Sequence, residues 1–176
     1  INDIMTVVMH YWIEEHLPIA SFDPDTGLVT SSRMSIFALI DDWSGKFAKY
    51  YLENVFEALT DPGEYYYDRD NSLLYYIPEE GEDIETAEII VPSAAQLLIL
   101  EGKAENKINV SFENIDFEYS EIEQPTGGGE KFGKPGVDFG AAPQAAFNVS
   151  GAVSLKYAQN CNFKSCKFSH LGLYGM

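Results

Sequence analysis

The stretch Val110–Phe117, VSFENIDF, is followed 51 residues later by Cys161–Phe168, CNFKSCKF, and the two match in pattern without a gap. In each stretch an apolar residue alternates with a polar one, a two-residue break shifts the phase, and the alternation resumes. A simple strand keeps one phase throughout, because its side chains point to alternate faces. A chain that shifts phase and still sends its apolar residues inward turns a corner, as a rung of a β-solenoid does. The predicted core ladder consists of three stacked pairs: Phe112 and Phe163, Ile115 and Cys166, and Phe117 and Phe168.

Each copy of this repeat is preceded by a further segment that reads as a strand, Gln96–Glu101 in the first copy and Ala152–Tyr157 in the second. The repeat spacing exceeds the roughly 20–29 residues that a bare rung takes, and the excess lies in Tyr119–Ala145. This insert is rich in glycine and contains three prolines, so we predict a long loop between two rungs. Loops of this length are usually functional or disordered.

The two cysteines of the chain, Cys161 and Cys166, both fall at core positions of the second copy. Two cysteines are too few for a disulfide framework, and no second pair of Cys or His residues has the spacing of zinc ligands. We therefore expect both thiols to act as small apolar core residues, and we predict no metal site.

The first 92 residues read as β-hairpins with one short helix. The helix is predicted over 46–60, because apolar residues recur at helical spacing from Leu52 to Leu59, and Asp61–Gly63 then ends it. Strand-forming residues bounded by turn signals predict strands in these segments: Ile4–Ile13, Ile19–Phe22, Leu28–Thr30, Ser35–Ile40, Glu64–Asp68 and Leu73–Pro78. The sequence thus predicts an all-β chain in two parts, a hairpin subdomain over 1–92 and solenoid rungs over 93–176, with the insert at about 119–145.

The charge of the chain limits its partners. Eleven Lys and Arg stand against 28 Asp and Glu, which gives a net charge of −17 at pH 7. Such a surface repels phosphate backbones and anionic lipids, so we expect neither nucleic acid nor a membrane surface as partner. No run of about 18 apolar residues predicts a membrane span. The chain opens with Ile1–Asp3 and carries no signal peptide, so it reads as a processed or excised segment.

Several stretches resemble bacterial right-handed parallel β-helix proteins. Glu53–Asp68, Leu73–Pro78 and Gly81–Asp83 resemble their motif EN…L..PGEWY.D…LYY.P..GED, with Tyr65 where the group often has Trp. Asn160–Gly175 resembles one of their rungs. The group includes glycoside hydrolase family 141, whose members act on fucosides and xylan, and other pectate-lyase-like carbohydrate enzymes. The resemblance covers roughly residues 40–176.

The resemblance implies a right-handed parallel β-helix, of which this chain supplies the first rungs, in an extracytoplasmic protein that degrades polysaccharide. Family members are longer, so it also implies that the hydrolytic carboxylates lie on rungs beyond Met176. No catalytic residue is therefore assigned here, and a hydrolase of this kind is expected to need no cofactor. A polysaccharide lyase is one alternative, which would use Ca²⁺ with Lys or Arg. A non-catalytic glycan-binding or structural module is another.

Five residues are predicted to contact a polysaccharide or oligosaccharide: His10, Trp12, Asp138, Gln144 and His170. His10 and Trp12 share one face of a predicted strand, and an aromatic face beside a few polar groups suits a sugar ring. Asp138 and Gln144 lie in the insert, where functional residues concentrate. His170 follows the second copy at a rung corner, over Tyr119 of the first, where it can bond a sugar hydroxyl or tune a neighbouring carboxylate. The structural alternatives are a satisfied corner residue for His170 and an amide bonding its own backbone for Gln144.

The final prediction concerns the edges of the rungs. A rung without a neighbour leaves backbone groups unpaired and apolar faces uncovered, which favours association between chains. We therefore expect this segment to self-associate through the open end of its β-helix.

Overall fold

The computed structural model shows an all-β chain. Among the described residues there is no α-helix, and no helix is long and apolar enough to cross a membrane. The chain divides into two compact units, Ile1–Ala87 with Pro125–Asn148, and Glu88–Gln124 with Val149–Met176. The structure describes the following residues: 3–40, 45–122, 127–128, 134–144 and 149–176.

The first unit contains a four-stranded antiparallel sheet with strand order β3-β2-β1-β4. Strand alternation buries Val8 of β1 and Leu17 of β2, which pack with Ala48 in a small apolar core. The β2–β3 turn is closed by Asp23, whose carboxylate accepts the backbone N–H of Asp25 and the hydroxyl of Thr26. The strands are β1 (Met5–Met9), β2 (Glu14–Asp23), β3 (Leu28–Ser31) and β4 (Lys49–Glu53).

The predicted helix over 46–60 is wrong. Lys49–Glu53 forms β4, which pairs with β1 from Met5↔Glu53 to Met9↔Lys49, and only Phe56–Ala58 forms a single turn of 3-10 helix. The tyrosines in β4 favour a strand, and pairing along a whole neighbouring strand outweighs the weak preference that apolar spacing gives a helix.

The predicted strand over Ser35–Ile40 does not form either. The backbone N–H groups of Ile36 and Phe37 bind the side chain of Glu15 instead of a neighbouring strand. At Ile40 only an isolated bridge to Phe47 remains.

The second predicted hairpin is confirmed. Tyr65–Asp68 (β5) pairs antiparallel with Leu73–Tyr76 (β6). The ring of Phe56 packs edge-on against Tyr66 and Tyr75, with centroids 5.2 and 5.1 Å away. Tyr66 and Tyr75 also face each other across the two strands, with ring centroids 6.0 Å apart, and such cross-strand aromatic pairs stabilise a hairpin.

The second unit confirms the register predicted from the repeat. The pairs β7–β12, β8–β13 and β9–β14 are parallel, and they place Phe112 opposite Phe163 and Phe117 opposite Phe168. Both ring pairs are stacked with centroids 5.0 Å apart. The strands are β7 (Leu98–Glu101), β8 (Ser111–Glu113), β9 (Asp116–Glu118), β12 (Val153–Lys156), β13 (Asn162–Lys164) and β14 (Lys167–Ser169). Two short strands of the insert, β10 (Gly127–Gly128) and β11 (Asp138–Phe139), pair antiparallel.

The corners of the two copies also match. The phase break after β8 falls at Asn114 and that after β13 at Ser165, with φ of 57° and 51°. A second corner has Tyr119 at 60° and His170 at 52°. Residues other than glycine rarely adopt this left-handed conformation, so its recurrence at both pairs of positions shows that the two copies follow one path.

The third predicted core pair is not fully buried. Ile115 is 40% exposed, and Cys166 is half-buried, as is Cys161. Each thiol instead lies near backbone carbonyls, Cys166 with its Sγ 3.7 Å from the oxygen of Phe112. Phe117 is buried, while Phe112, Phe163 and Phe168 are half-buried like the thiols. The two copies are therefore joined by stacked rings rather than by a fully buried ladder.

Candidate functional site

The end of the insert is fixed on the first unit by backbone hydrogen bonds. Met34 donates its N–H to the carbonyl of Asp138, Gly140 donates to Met34, and His16 donates to Gly140, at 2.9, 3.0 and 2.9 Å. A Cβ at Gly140 would lie 2.6 Å from a methyl of Leu17 and 3.0 Å from the His16 carbonyl oxygen, so a larger residue would force its neighbours to move. The insert also buries three of its side chains: Phe139, Ala141 and Ala142.

This docking brings the insert to Trp12. The indole Nε1 of Trp12 donates to the carbonyl of Pro143 at 3.0 Å, and the ring packs edge-on against Phe37 with centroids 5.6 Å apart. Trp12 nevertheless stays 48% exposed. We call Trp12, Phe37 and Pro143 the Trp12 platform. Gln144 follows Pro143 directly and is exposed, so an amide lies one residue from the carbonyl that anchors the ring.

His10 and Trp12 do not share the face of a strand, so that part of the prediction is wrong. Strand β1 ends at Met9, and the N–H of His10 binds the carbonyl of Ile13 in a turn. The two side chains still meet indirectly, because the His10 ring packs edge-on against Phe37, with centroids 5.7 Å apart. The side chain of His10 has no exposed surface, which leaves its imidazole no direct access to a sugar.

Sequence reasoning missed Glu15, which is fully buried. One carboxylate oxygen lies 3.1 Å from Nε2 of His10, although the geometry is not that of a hydrogen bond. The carboxylate also accepts the backbone N–H groups of Ile36, at 3.1 and 3.2 Å, and of Phe37, at 3.4 Å. A signal was present in the sequence, because strand alternation puts Glu15 on the same inward face as Leu17.

Asp138 has a partner within the first unit. Its Oδ2 accepts from Nε of Arg33 at 3.1 Å, while half of its side-chain surface stays exposed. This ion pair ties β11 to the segment that follows β3. Asp138 therefore supports the docking of the insert and keeps a solvent-accessible carboxylate.

His170, the fifth predicted residue, belongs to the second unit. Its exposed imidazole stacks on the ring of Tyr119 with centroids 4.8 Å apart and an interplanar angle of 11°, as the register of the repeat predicted. Beside it, Glu118 accepts hydrogen bonds from Nζ of Lys167 and Oγ of Ser169, both at 2.5 Å. Lys167 and then Ser169 hold the pKa of Glu118 below its ordinary value, with a smaller electrostatic contribution from His170. We call these five residues the corner cluster.

A shallow depression of about 290 Å³ lies elsewhere in the first unit. Its polar groups serve the local backbone, since Asn54 binds backbone groups of Asp3 and Tyr67, and Glu64 accepts two backbone N–H groups. These N–H groups hold the pKa of Glu64 below its ordinary value. The lining contains none of the five predicted residues: Leu52, Asn54, Val55, Ala58, Leu59, Gly63, Glu64 and Tyr65.

Comparison with models of known families, with curated proteins and with solved structures finds no match to the chain. The family resemblance therefore depends on the sequence motifs quoted above. Within the described part of the chain, no group of three or more His, Cys, Asp or Glu side chains is placed to hold a metal ion.

Proposed function

We propose that this chain is part of a carbohydrate-active protein and that its Trp12 platform binds a polysaccharide. The observation that carries the proposal is a half-exposed indole held at two points, by the carbonyl of Pro143 and by the ring of Phe37. A sugar ring stacks its C–H surface on such an aromatic face, and a pre-ordered ring loses little entropy on binding. The exposed amide of Gln144 adds a donor and an acceptor for sugar hydroxyls.

The parallel pairs of the second unit support a right-handed parallel β-helix as the fold of the parent protein. Three strand pairs in matching register, with corners at equivalent positions, are what two consecutive rungs would produce. Right-handed connections between parallel strands are strongly preferred in proteins. The corner cluster would then lie on the outward side of these rungs and form a second place of contact for a glycan.

Hydrolysis of fucoside or xylan type glycans is the activity that we propose for the parent protein, by its sequence resemblance. That chemistry needs two carboxylates on either side of the scissile bond, and we assign none in this chain. A non-catalytic binding module is the alternative that the Trp12 platform favours, because an aromatic platform binds sugar without any such pair.

A polysaccharide lyase is less well supported. A lyase must hold a polyanionic chain, and the lysines of the stacked strands are already neutralised by carboxylates of the same unit. Lys156, Lys164 and Lys167 bind glutamates at 2.9, 2.5 and 2.5 Å. With a net charge of −17, the chain better suits a neutral glycan.

The proposal is tested by titrating the protein with soluble xylan and with fucose-containing oligosaccharides. Binding is measured by calorimetry and by tryptophan fluorescence. We expect Trp12→Ala to weaken binding at least about tenfold, which corresponds to roughly 1.4 kcal/mol. Phe47→Ala is the matched control, since this aromatic side chain of the same unit is 89% exposed, and it should leave the affinity unchanged. Equal affinity of the Trp12→Ala variant and the wild type would overturn the proposed role of the Trp12 platform in binding. A wild type that binds none of these glycans would overturn it as well.

The same mixtures are assayed for newly formed reducing ends. Binding without such release supports a binding role for this chain. Release by the purified chain would assign hydrolytic carboxylates to it and contradict their placement outside it.

A further inference from the structure

The inward face of β2 carries a carboxylate where an apolar residue would extend the core. Glu15 is fully buried and lies opposite Val8 of β1, two residues before the buried Leu17. Glutamate is almost never fully buried unless it is paired, because removing a carboxylate from water is costly. The contacts of Glu15 must therefore compensate for this cost, and they show what the residue does.

Those contacts fix Ile36 and Phe37, which belong to none of the strands in the described part of the chain. The carboxylate accepts the N–H groups of Ile36 and Phe37, and hydrogen bonds to a charged acceptor are stronger than those between neutral groups. The buried imidazole of His10 also lies against this carboxylate, with Nε2 3.1 Å from one of its oxygens. Without Glu15, backbone N–H groups of this segment would lose their acceptor.

The fixed segment in turn supports Trp12. The ring of Phe37 contacts both His10 and Trp12 edge-on, at 5.7 and 5.6 Å, while the indole Nε1 of Trp12 donates to the carbonyl of Pro143. We propose that Glu15 is a positioning residue that holds the Trp12 platform ready for a sugar ring, a proposal that rests on the function proposed above.

The consequence is specific, because Glu15 cannot touch a ligand and acts only through Phe37 and Trp12. Glu15→Gln keeps the shape of the side chain and removes its charge. We expect it to increase the quenching of Trp12 fluorescence by acrylamide in a Trp43→Phe background, where Trp12 is the sole tryptophan. We also expect it to weaken oligosaccharide binding about fivefold to tenfold, and to have no further effect on affinity when Trp12 is already alanine.

Two variants provide the controls. Glu14→Gln changes the adjacent glutamate, whose side chain is half-exposed, and should leave both quenching and affinity as in the wild type. Phe37→Leu keeps the backbone N–H that Glu15 accepts and removes the ring between Glu15 and Trp12. It should reproduce the increased quenching, and it gives the decisive reading if Glu15→Gln fails to fold, as judged by circular dichroism.

The outcomes separate the two proposals. Increased quenching in the Glu15 and Phe37 variants supports the positioning role even if the wild type binds no sugar, in which case the proposed function alone fails. Unchanged quenching of Trp12 in a folded Glu15→Gln variant would overturn the positioning role, whatever the wild type binds. If Phe37→Leu folds and Glu15→Gln does not, unchanged quenching of Trp12 in Phe37→Leu would also overturn the positioning role. A loss of affinity in Glu15→Gln that persists in the Trp12→Ala background would also overturn it, because the effect would then not pass through Trp12.

Discussion

Glu118 and Lys167 form an ion pair between the two copies of the repeat, although Lys167 lies opposite Asp116 in the strand register. Glu118 holds the pKa of Lys167 above its ordinary value of 10.5. The pKa of Glu118 is in turn held below its ordinary value of 4.5, first by Lys167 and then by Ser169. Each group is therefore charged over a wider pH range in the folded chain than in the unfolded one.

These shifts predict how the contribution of the pair to stability depends on pH. A lowered carboxylate pKa stabilises the fold above about pH 4.5, and this contribution is lost as pH falls through the lowered pKa. A raised amine pKa stabilises the fold below about pH 10.5, and this contribution is lost as pH rises through the raised pKa. Glu118→Gln should therefore unfold at lower urea concentration than the wild type at pH 7, with a difference that vanishes in acid. A difference that stays constant down to pH 2 would contradict this.

The residues with left-handed backbone conformation at the corners of the repeat show how far the sequence predicts the conformation of single residues. The phase break between Phe112 and Phe117 located a corner, and Asn114 adopts the left-handed conformation there. Asparagine does so more readily than most residues. No such signal marks Tyr119, since bulky side chains are uncommon in that region, and its conformation follows the end of β9, as that of His170 follows the end of β14.

At the scale of elements, short parallel strands are held in register by charge as well as by stacked rings. Lys164 lies directly opposite Glu113, and Lys156 directly opposite Glu101. Opposite charges facing each other across neighbouring strands stabilise the pairing, and like charges destabilise it. Strands β8 and β13 are only three residues long. A single ion pair is therefore a large fraction of the contacts between them.

Reversing one charge should therefore destabilise the second unit, and reversing both should restore it. Lys164→Glu places two carboxylates opposite each other, and we expect it to lower the free energy of unfolding by about 0.5 kcal/mol, in the range of exposed pairs. The double variant with Glu113→Lys should recover most of that loss. Urea denaturation of the four proteins in this cycle measures the coupling, and 1 M salt should reduce it. Additive effects of the two single changes would show that the pair does not act.

The sequence predicted the strands of the long-range repeat and of the hairpin at Tyr65–Tyr76 correctly, and it failed where tertiary contacts decide the structure. The matched copies fixed the partner and the register of β8, β9, β13 and β14. The apolar spacing near Leu52 resembled a helix, but β1 offered a complete edge to Lys49–Glu53. The segment at Ile36 reads as a strand, yet its N–H groups bind Glu15, a contact that no local pattern indicates.

At the scale of the whole molecule, the insert from Pro125 onward belongs to the first unit rather than to the two copies of the repeat that it separates. Its glycines and prolines predicted a loop but contained no signal for the sheet on which it packs. That packing brings Asp138 to Arg33 and Pro143 to Trp12. Four of the five predicted sugar-binding residues therefore lie in the first unit: His10, Trp12, Asp138 and Gln144. The sequence did not indicate the packing that brings the two residues of the insert there.

The second unit also leaves strand edges open. Among the described residues, β13 and β14 each pair on one side only, while Tyr174 and Gly175 accept hydrogen bonds from the start of β12. Open edges favour pairing with another chain, and short strands with lysines oppose it. The net charge of −17 adds repulsion between copies at pH 7. Association should therefore depend on how far that charge is screened.

We expect sedimentation velocity at pH 7 to show a larger average mass in 1 M salt than at low salt, because salt reduces the Debye length to about 3 Å. Hydrogen exchange can locate the contact. Asn162 and Lys167 already donate their N–H groups to Val110 and Ile115, so the next amides along each strand, those of Phe163 and Phe168, point to the open edge. Association through these edges should protect the two phenylalanine amides and leave the first two unchanged. A monomer at every salt concentration, or association without this protection, would contradict pairing through β13 and β14.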